Sequence, residues 1–152
     1  MSTASKVRPA LMILLVYFLS TWAAATPVQA QGAVPDITLT CDQPQPIDVY
    51  PGATRSSIIN CRIENPTVHQ EKVRIQIQAG VLAFSGPATM SIGGGSEVSF
   101  QVLVRAELRA PEGQHQVTVS AEVTMANGVP VTSEPSAANV MAIIRQFSRL
   151  RV

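Results

Sequence analysis

The amino-acid sequence predicts an all-β protein, an immunoglobulin-like antiparallel β-sandwich of about seven strands preceded by a signal-peptide segment. First, apolar and polar residues alternate after residue 36, which is typical of strands with one buried and one exposed face. Second, turn-forming residues interrupt this alternation about every 8 to 12 residues, the spacing of sandwiches and barrels. Third, the chain of 152 residues is long enough for about one domain.

The first 30 residues have the three parts of a secretory signal peptide. Lys6 and Arg8 make the start basic, and residues 10–19 are apolar and uncharged. The small residue Ala30 then precedes a predicted cleavage site before Gln31. This pattern predicts export from the cytoplasm, and therefore a secreted, extracellular or cell-surface location.

The sequence therefore divides into a signal peptide at residues 1–30, a disordered stretch at residues 31–36, and one sandwich domain at residues 37–152. An uncleaved signal anchor is the alternative, because the apolar run could be stretched toward a short membrane helix. A full span needs about 20 apolar residues, however, and Ser20 and Thr21 interrupt the run. No later apolar run approaches that length, so we expect no transmembrane segment after signal removal.

Five segments alternate strictly, and each predicts one strand with an inward apolar face. The inward sets are Ile37, Leu39 and Cys41; Ile59, Cys61 and Ile63; Val73, Ile75, Ile77 and Ala79; Val98, Phe100, Val102 and Val104; and Val117, Val119, Ala121, Val123 and Met125. Turn residues, which supply positive φ or a preset φ, stand at Pro51–Gly52, Asn65–Pro66, Ser85–Pro87, Gly93–Gly95, Pro111–Gly113 and Asn127–Gly128. The glycine run at 93–95 leads into a strand instead of a helix, so we predict a turn and not a phosphate-binding loop.

Residues 139–152 are less regular, because apolar side chains fall on both phases of the alternation. Ile144 lies on one phase, whereas Ile143 and Phe147 lie on the other together with Arg145. A bulge, or a strand buried on both faces early and exposed late, would produce this pattern. We predict a final edge strand, whose arginines would discourage pairing with other chains.

Cys41 and Cys61 both fall on the inward phase of their strands, and we predict a disulfide between them. Exported proteins mature where disulfides persist, and this bond would stabilise the fold by about 3 kcal/mol by restricting the unfolded chain. A pair of buried free thiols is the alternative. Two cysteines without a nearby histidine cannot fill four zinc positions, so no metal is expected.

The sequence contains no recognised catalytic, nucleotide or cofactor motif. His69 and His115 have no acid or nucleophile pattern nearby, so we expect solvated surface histidines. Asp36, Asp42 and Asp48 recur every six residues, but this spacing matches no calcium-binding loop, and we expect solvated acids. We therefore predict that the protein is not an enzyme and has no cofactor.

Charge and aromatic content also restrict the partners. Lys6 and Arg8 belong to the signal segment, so nine of the 11 Lys and Arg remain against ten Asp and Glu. This near-neutral balance gives no clustered basic face for nucleic acid. The one tryptophan, Trp22, also lies in the signal segment, which leaves Tyr50 as the candidate aromatic platform for a sugar.

The turns carry a resemblance to a known family. The relevant runs are Val49–Thr54, Asn60–Pro66, Gly94–Val98, Ala110–Gly113 and Val117–Val119. Together they resemble the immunoglobulin-like surface module of archaeal choice-of-anchor proteins over about residues 36–125. The resemblance implies a sandwich fold at the cell surface. Such proteins usually end in a membrane or sorting anchor, which is not found here, so we expect release or retention by a partner.

These observations favour a secreted or cell-surface module with a structural or adhesive role in the envelope. Its expected partners are envelope or surface proteins, or copies of itself. The alternative is an exported module that binds a small ligand or a glycan, which would require a concave site instead of a flat sheet face.

Overall fold

The structure is a computed structural model, and it describes residues 34–147. The predicted signal peptide and its cleavage site between Ala30 and Gln31 lie outside the described residues. The described part forms ten strands arranged as a sandwich of two sheets, which confirms the predicted fold class. The strands are β1 (Thr38–Cys41), β2 (Ile47–Val49), β3 (Ser56–Glu64), β4 (Glu71–Gln78), β5 (Ala83–Ser85), β6 (Thr89–Ile92), β7 (Glu97–Arg105), β8 (Gly113–Ala126), β9 (Val129–Pro130) and β10 (Ser136–Gln146).

The first sheet has four strands in the order β1-β3-β7-β5, and all neighbours are antiparallel. The second sheet has the order β2-β10-β8-β4-β6, with β9 paired to β8. Its neighbours are antiparallel except for β2 and β10, which are parallel. The short strand β2 therefore covers the C-terminal end of β10, so the prediction that the last strand is an edge strand is wrong at this end.

The chain passes from one sheet to the other at every connection between β1 and β8, and two of these crossings join short strands. Residues 42–46 lead from β1 in the first sheet to β2 in the second, and residues 86–88 lead from β5 to β6. A Cβ atom at Gly86 would lie only 2.9 Å from the Cδ1 atom of Ile77 and 3.4 Å from Val102. Glycine therefore lets the crossing from β5 to β6 pass close over the core.

The core lies between the sheets and consists mainly of Val, Ile and Ala side chains on the inward phases of the strands. The prediction that Met125 points into the core is wrong: Met125 is only partly buried, and Ala126 is buried in its place. The register explains this, because Val73 pairs with Val123 whereas Lys72 pairs with Met125. The extra residue in β8 is a β-bulge, which reverses the phase of the strand.

The predicted disulfide between Cys41 and Cys61 is confirmed. The two residues are directly opposite each other in the β1–β3 ladder. Cys61 is buried and Cys41 is half-buried, so both sulfur atoms lie on the inward side, as predicted. The bond fixes β1, an edge strand of four residues, to the long strand β3.

A buried polar network fixes the turn between β3 and β4. The Nδ2 atom of Asn65 donates to the carbonyl oxygens of His69 (2.7 Å) and Gly93 (3.2 Å). Its Oδ1 atom accepts from the backbone N–H of Thr67 at 3.0 Å. Glu71, which is fully buried, accepts a hydrogen bond from the Thr67 hydroxyl at 3.2 Å. These bonds satisfy the buried amide of Asn65 and the Oε1 atom of Glu71. The Oε2 atom of Glu71 is buried and has no hydrogen-bond partner in the described part of the chain.

The predicted turn at residues 93–95 is confirmed, and it packs tightly against this network. The backbone N–H of Gly95 donates to the carbonyl oxygen of Thr67 at 2.7 Å. A Cβ atom at Gly94 would lie 2.4 Å from the backbone carbonyl carbon and oxygen of Val68. Glycine is therefore required at position 94, where two turns are in close contact.

Candidate functional site

The last strand, β10, alternates regularly and has a different kind of surface on each side. Its inward residues Val140, Ala142 and Ile144 are almost completely buried. Its pairing with β8 is continuous from Ser136 to Ile144, so β10 contains no bulge within this ladder, contrary to one of the two explanations suggested by the sequence. Apolar residues fall on both phases because the outward side of β10 also carries them.

The outward side of this strand and its extension forms the candidate functional site. Met141, Ile143 and Phe147 are 41%, 38% and 52% exposed. The side chain of Arg145 lies between the last two along the chain and is half exposed. We call the set Met141, Ile143, Arg145 and Phe147 the β10 stripe. Exposed apolar residues also occur elsewhere, on turns (Val68) and on strands of the other sheet (Ile58 and Leu103).

The parallel strand β2 supports one end of the β10 stripe. Arg145 pairs with Asp48 on β2, with Nη2 2.7 Å and Nε 2.8 Å from the same carboxylate oxygen. The next residues outward are Phe147 and Tyr50, whose ring centroids are 6.4 Å apart in an edge-to-face arrangement. The guanidinium carbon of Arg145 lies 5.9 Å from the centre of the Phe147 ring. Ion pair, cation–π contact and ring packing thus orient these exposed side chains together.

The composition of this surface is that of a protein interface. Tyr, Phe, Met and Arg are enriched at protein–protein contacts, whereas Lys and Glu are depleted there. The β10 stripe and Tyr50 contain four of these enriched types and no Lys or Glu. The charge of Arg145 is balanced by Asp48, so the surface is nearly neutral. Its chemistry suits contact with another protein surface.

Both histidines are partly exposed: His69 lies in the turn between β3 and β4, and His115 lies near the start of β8. A ring nitrogen of His69 is 2.8 Å from the side-chain amide nitrogen of Asn127. A ring nitrogen of His115 is 2.8 Å from the carbonyl oxygen of Pro111. Each ring therefore contacts a turn that flanks β8.

The three regularly spaced aspartates do not act together. Asp36 and Asp42 are exposed, and Asp48 is paired with Arg145. Within residues 34–147, no group of three His, Cys, Asp or Glu side chains is arranged to hold a metal ion. The same residues form no helix that is long and apolar enough to span a membrane.

Sequence reasoning identified Tyr50 and missed its partner. Phe147 comes after the last regular strand position, and 97 residues separate Tyr50 from it in sequence. Only the parallel pairing of Gln146 with Val49 brings the two rings together. The apolar residues on the second phase of β10 were the available signal, because an outward apolar phase on a strand indicates an exposed contact surface.

No protein-family model matches the chain, and no curated protein matches it. Solved structures do match at low identity. The ASH / PapD-like domain 7 of human CEP192 is 10% identical, with a TM-score of 0.53, and the match covers 97% of this chain and 99% of that domain. Native alpha-2-macroglobulin from Escherichia coli is 14% identical, with a TM-score of 0.54, and the match covers 74% of this chain.

The likeness to the macroglobulin spans only 17% of that longer chain. A third match, to the CARDB domain of the PF1109 protein from Pyrococcus furiosus in complex with di-metal ions, is 17% identical over 74% of this chain and 90% of that domain, with a TM-score of 0.49. At these identities the likeness concerns the fold alone. That fold is an immunoglobulin-like β-sandwich.

Proposed function

We propose that this protein is a secreted or cell-surface immunoglobulin-like module with a structural or adhesive role, which binds envelope or surface proteins or copies of itself. The observation that carries this proposal is the β10 stripe with Tyr50. It is an exposed, nearly neutral surface of interface composition, built on a rigid strand pair instead of a loop. A handful of aromatic and arginine side chains usually supplies most of the binding energy of such contacts.

Two features support the extracellular location. The first 30 residues have the pattern of a signal peptide. The disulfide between Cys41 and Cys61 is a bond that persists in oxidising compartments and is rare in the cytosol. The resemblance of the turns to archaeal choice-of-anchor surface modules favours the same compartment.

Site-specific photo-cross-linking in the native cell tests the proposal. The exported protein would carry a photo-reactive amino acid at Ile143 or, in a separate variant, at Phe147. We expect both variants to form covalent adducts with an envelope protein or a second copy, because their side chains project from the proposed contact surface. Mass spectrometry of the adducts identifies the partner.

A matched control carries the same photo-reactive amino acid at Ser85, which is exposed on β5 at the edge of the other sheet. We expect far fewer adducts from this position. Equal adduct formation at all three positions would indicate unspecific proximity, and an absence of adducts at Ile143 and Phe147 would refute the proposed contact surface.

A further inference from the structure

A second, chemically different site lies on the opposite face of the sandwich. A shallow cleft of about 340 Å³ opens on the outer side of the four-stranded sheet. Six exposed polar side chains line it: Thr40, Asp42, Asn60, Arg62, Ser99 and Gln101. This cleft is separate from the β10 stripe, which belongs to the other sheet.

The strand register arranges these six side chains in two neighbouring rows. Thr40 pairs with Arg62, and Arg62 pairs with Ser99, which gives one row across β1, β3 and β7. Asn60 pairs with Gln101, and the backbone N–H of Asp42 donates to the Asn60 carbonyl, which gives the second row. Neighbouring strands are about 4.8 Å apart. The two rows therefore form a polar platform of roughly the size of one sugar ring.

The functional groups on this platform are both donors and acceptors. The amide nitrogen of Gln101 donates to the amide oxygen of Asn60 at 3.1 Å, and this bond orients both side chains. The amide nitrogen of Asn60 takes no part in this bond, so its two N–H groups are the donors that Asn60 can offer to a ligand. Asp42 offers a carboxylate, and Thr40 offers a hydroxyl group. Arg62 forms an ion pair with Glu97 at 3.4 Å, so Asp42 carries the one charge of the cleft lining that this pair does not balance. This chemistry suits a neutral ligand that is rich in hydroxyl groups. It does not suit a phosphate, which would require several basic side chains close together.

An apolar pair borders the platform. Ile58 and Leu103 are opposite each other in the β3–β7 ladder, one row beyond Asn60 and Gln101. They are 48% and 42% exposed. A sugar presents hydroxyl groups around its ring and C–H groups on its faces, so a polar platform next to an apolar pair is complementary to both parts.

The disulfide lies directly beneath this platform. Cys41 is between Thr40 and Asp42 in sequence, and Cys61 is between Asn60 and Arg62. The bond therefore joins the two strands that carry three of the six polar side chains, and Asp42 directly follows β1. Fixing an edge strand in this way reduces the ordering cost of binding a weak ligand.

We propose that the cleft above the disulfide binds a saccharide. The inference is independent of the protein contact at the β10 stripe. The direct test is NMR titration of the isotope-labelled, oxidised mature protein with maltotriose, mannotriose, chitotriose and lactose at millimolar concentrations. At least one of these sugars should shift the amide signals of residues 40–42, 60–62 and 99–101 in a saturable manner.

Absence of saturable shifts with all four sugars overturns the proposal. Shifts centred on Tyr50 and Phe147 would also overturn it, because they would place the sugar at the aromatic pair on the other sheet. Either result leaves the cross-linking test of the β10 stripe unaffected. Conversely, sugar binding at the cleft would stand even if Ile143 and Phe147 formed no adducts.

Two substitutions sharpen the test. Asn60→Ala and Asp42→Ala should each weaken binding by about fivefold, the effect of losing one hydrogen bond. Gln114→Ala is the matched control, because it removes an exposed amide from the other sheet and should leave the affinity unchanged. Unchanged affinity in both cleft variants would contradict the assignment of the site.

The disulfide gives a separate readout. A variant with Cys41→Ser and Cys61→Ser should bind more weakly while the same amide signals shift, because β1 is no longer fixed to β3. If this variant does not melt cooperatively, the affinity of Asn60→Ala, which leaves the disulfide intact, decides whether the cleft binds the sugar. If it folds and binds with unchanged affinity, the disulfide has no part in the site.

Discussion

Replacement of Ile144 by alanine probes whether β10 is an integral part of the sandwich. Ile144 is completely buried and lies between Gly113 on β8 and Ile47 on β2. Truncation of a buried isoleucine to alanine removes burial and leaves a cavity, which costs about 2 to 5 kcal/mol. A small domain has a total stability of about 5 to 15 kcal/mol, so this one substitution should remove a large part of it.

The neighbouring residue provides a control of the same residue type. Ile143 is on the same strand, but its side chain projects outward and is 38% exposed. Ile143→Ala leaves no closed cavity, so we expect it to cost less than about 1 kcal/mol. Both substitutions remove the same atoms, so a difference between their effects on the free energy of unfolding reports which of the two side chains faces the core.

The measurement is equilibrium urea unfolding of the oxidised mature protein, with the free energy obtained by linear extrapolation. Equal destabilisation by the two substitutions, or a larger effect of Ile143→Ala, would refute the inward and outward assignment of β10. Deletion of residues 139–152 extends the test. It removes Val140, Ala142 and Ile144 and leaves residues 113–118 of β8 without a neighbour on the β10 side, so we expect an unfolded or aggregating protein. Cooperative melting near the full-length temperature would contradict this.

Three further predictions concern the processing, the disulfide and a turn. N-terminal sequencing of the exported protein should begin at Gln31, and a start at Met1 would refute the signal-peptide prediction. Alkylation without reductant should leave Cys41 and Cys61 unlabelled, and reduction should lower the stability by about 3 kcal/mol; two labelled cysteines would contradict the bond. Gly94→Ala should destabilise the protein by about 1 to 3 kcal/mol in urea unfolding, because its Cβ would overlap the backbone of the facing turn. Gly93→Ala, whose Cβ would meet only Ser96, is the control, and equal effects would refute the close contact.

The long strands were predictable because each has enough residues to show a period of two. β3 and β7, with nine residues each, bury every second side chain. The short strands β2, β5 and β9 have two or three residues, and so few residues cannot establish a period. They are strands because longer strands pair with them. The local sequence does not reveal this pairing, because β2 and β5 pair with strands that are distant in sequence.

The candidate sites show the same division between local and non-local information. Alternation indicates which side of β3 faces solvent, and it therefore places Asn60 and Arg62 on the outer face. It does not indicate which strands are neighbours, so the rows that join them to Ser99 and Gln101 required the sheet order. Likewise, Met125 was assigned to the core because a bulge of one residue in β8 leaves no signal in the sequence pattern.

The position of the disulfide determines how the domain transmits mechanical force. A pull on the chain before β1 can separate only the four residues of β1 from β3 before it reaches Cys41. The covalent bond then passes the force directly to Cys61, and residues 42–60 stay outside the loaded path. The cysteines are 20 residues apart, so the bond prevents the extension of at most about 70 Å of chain. Strand β2 belongs to this protected segment, so a pull on the chain before β1 does not reach it while the bond is intact, and reduction of the bond exposes it to that pull.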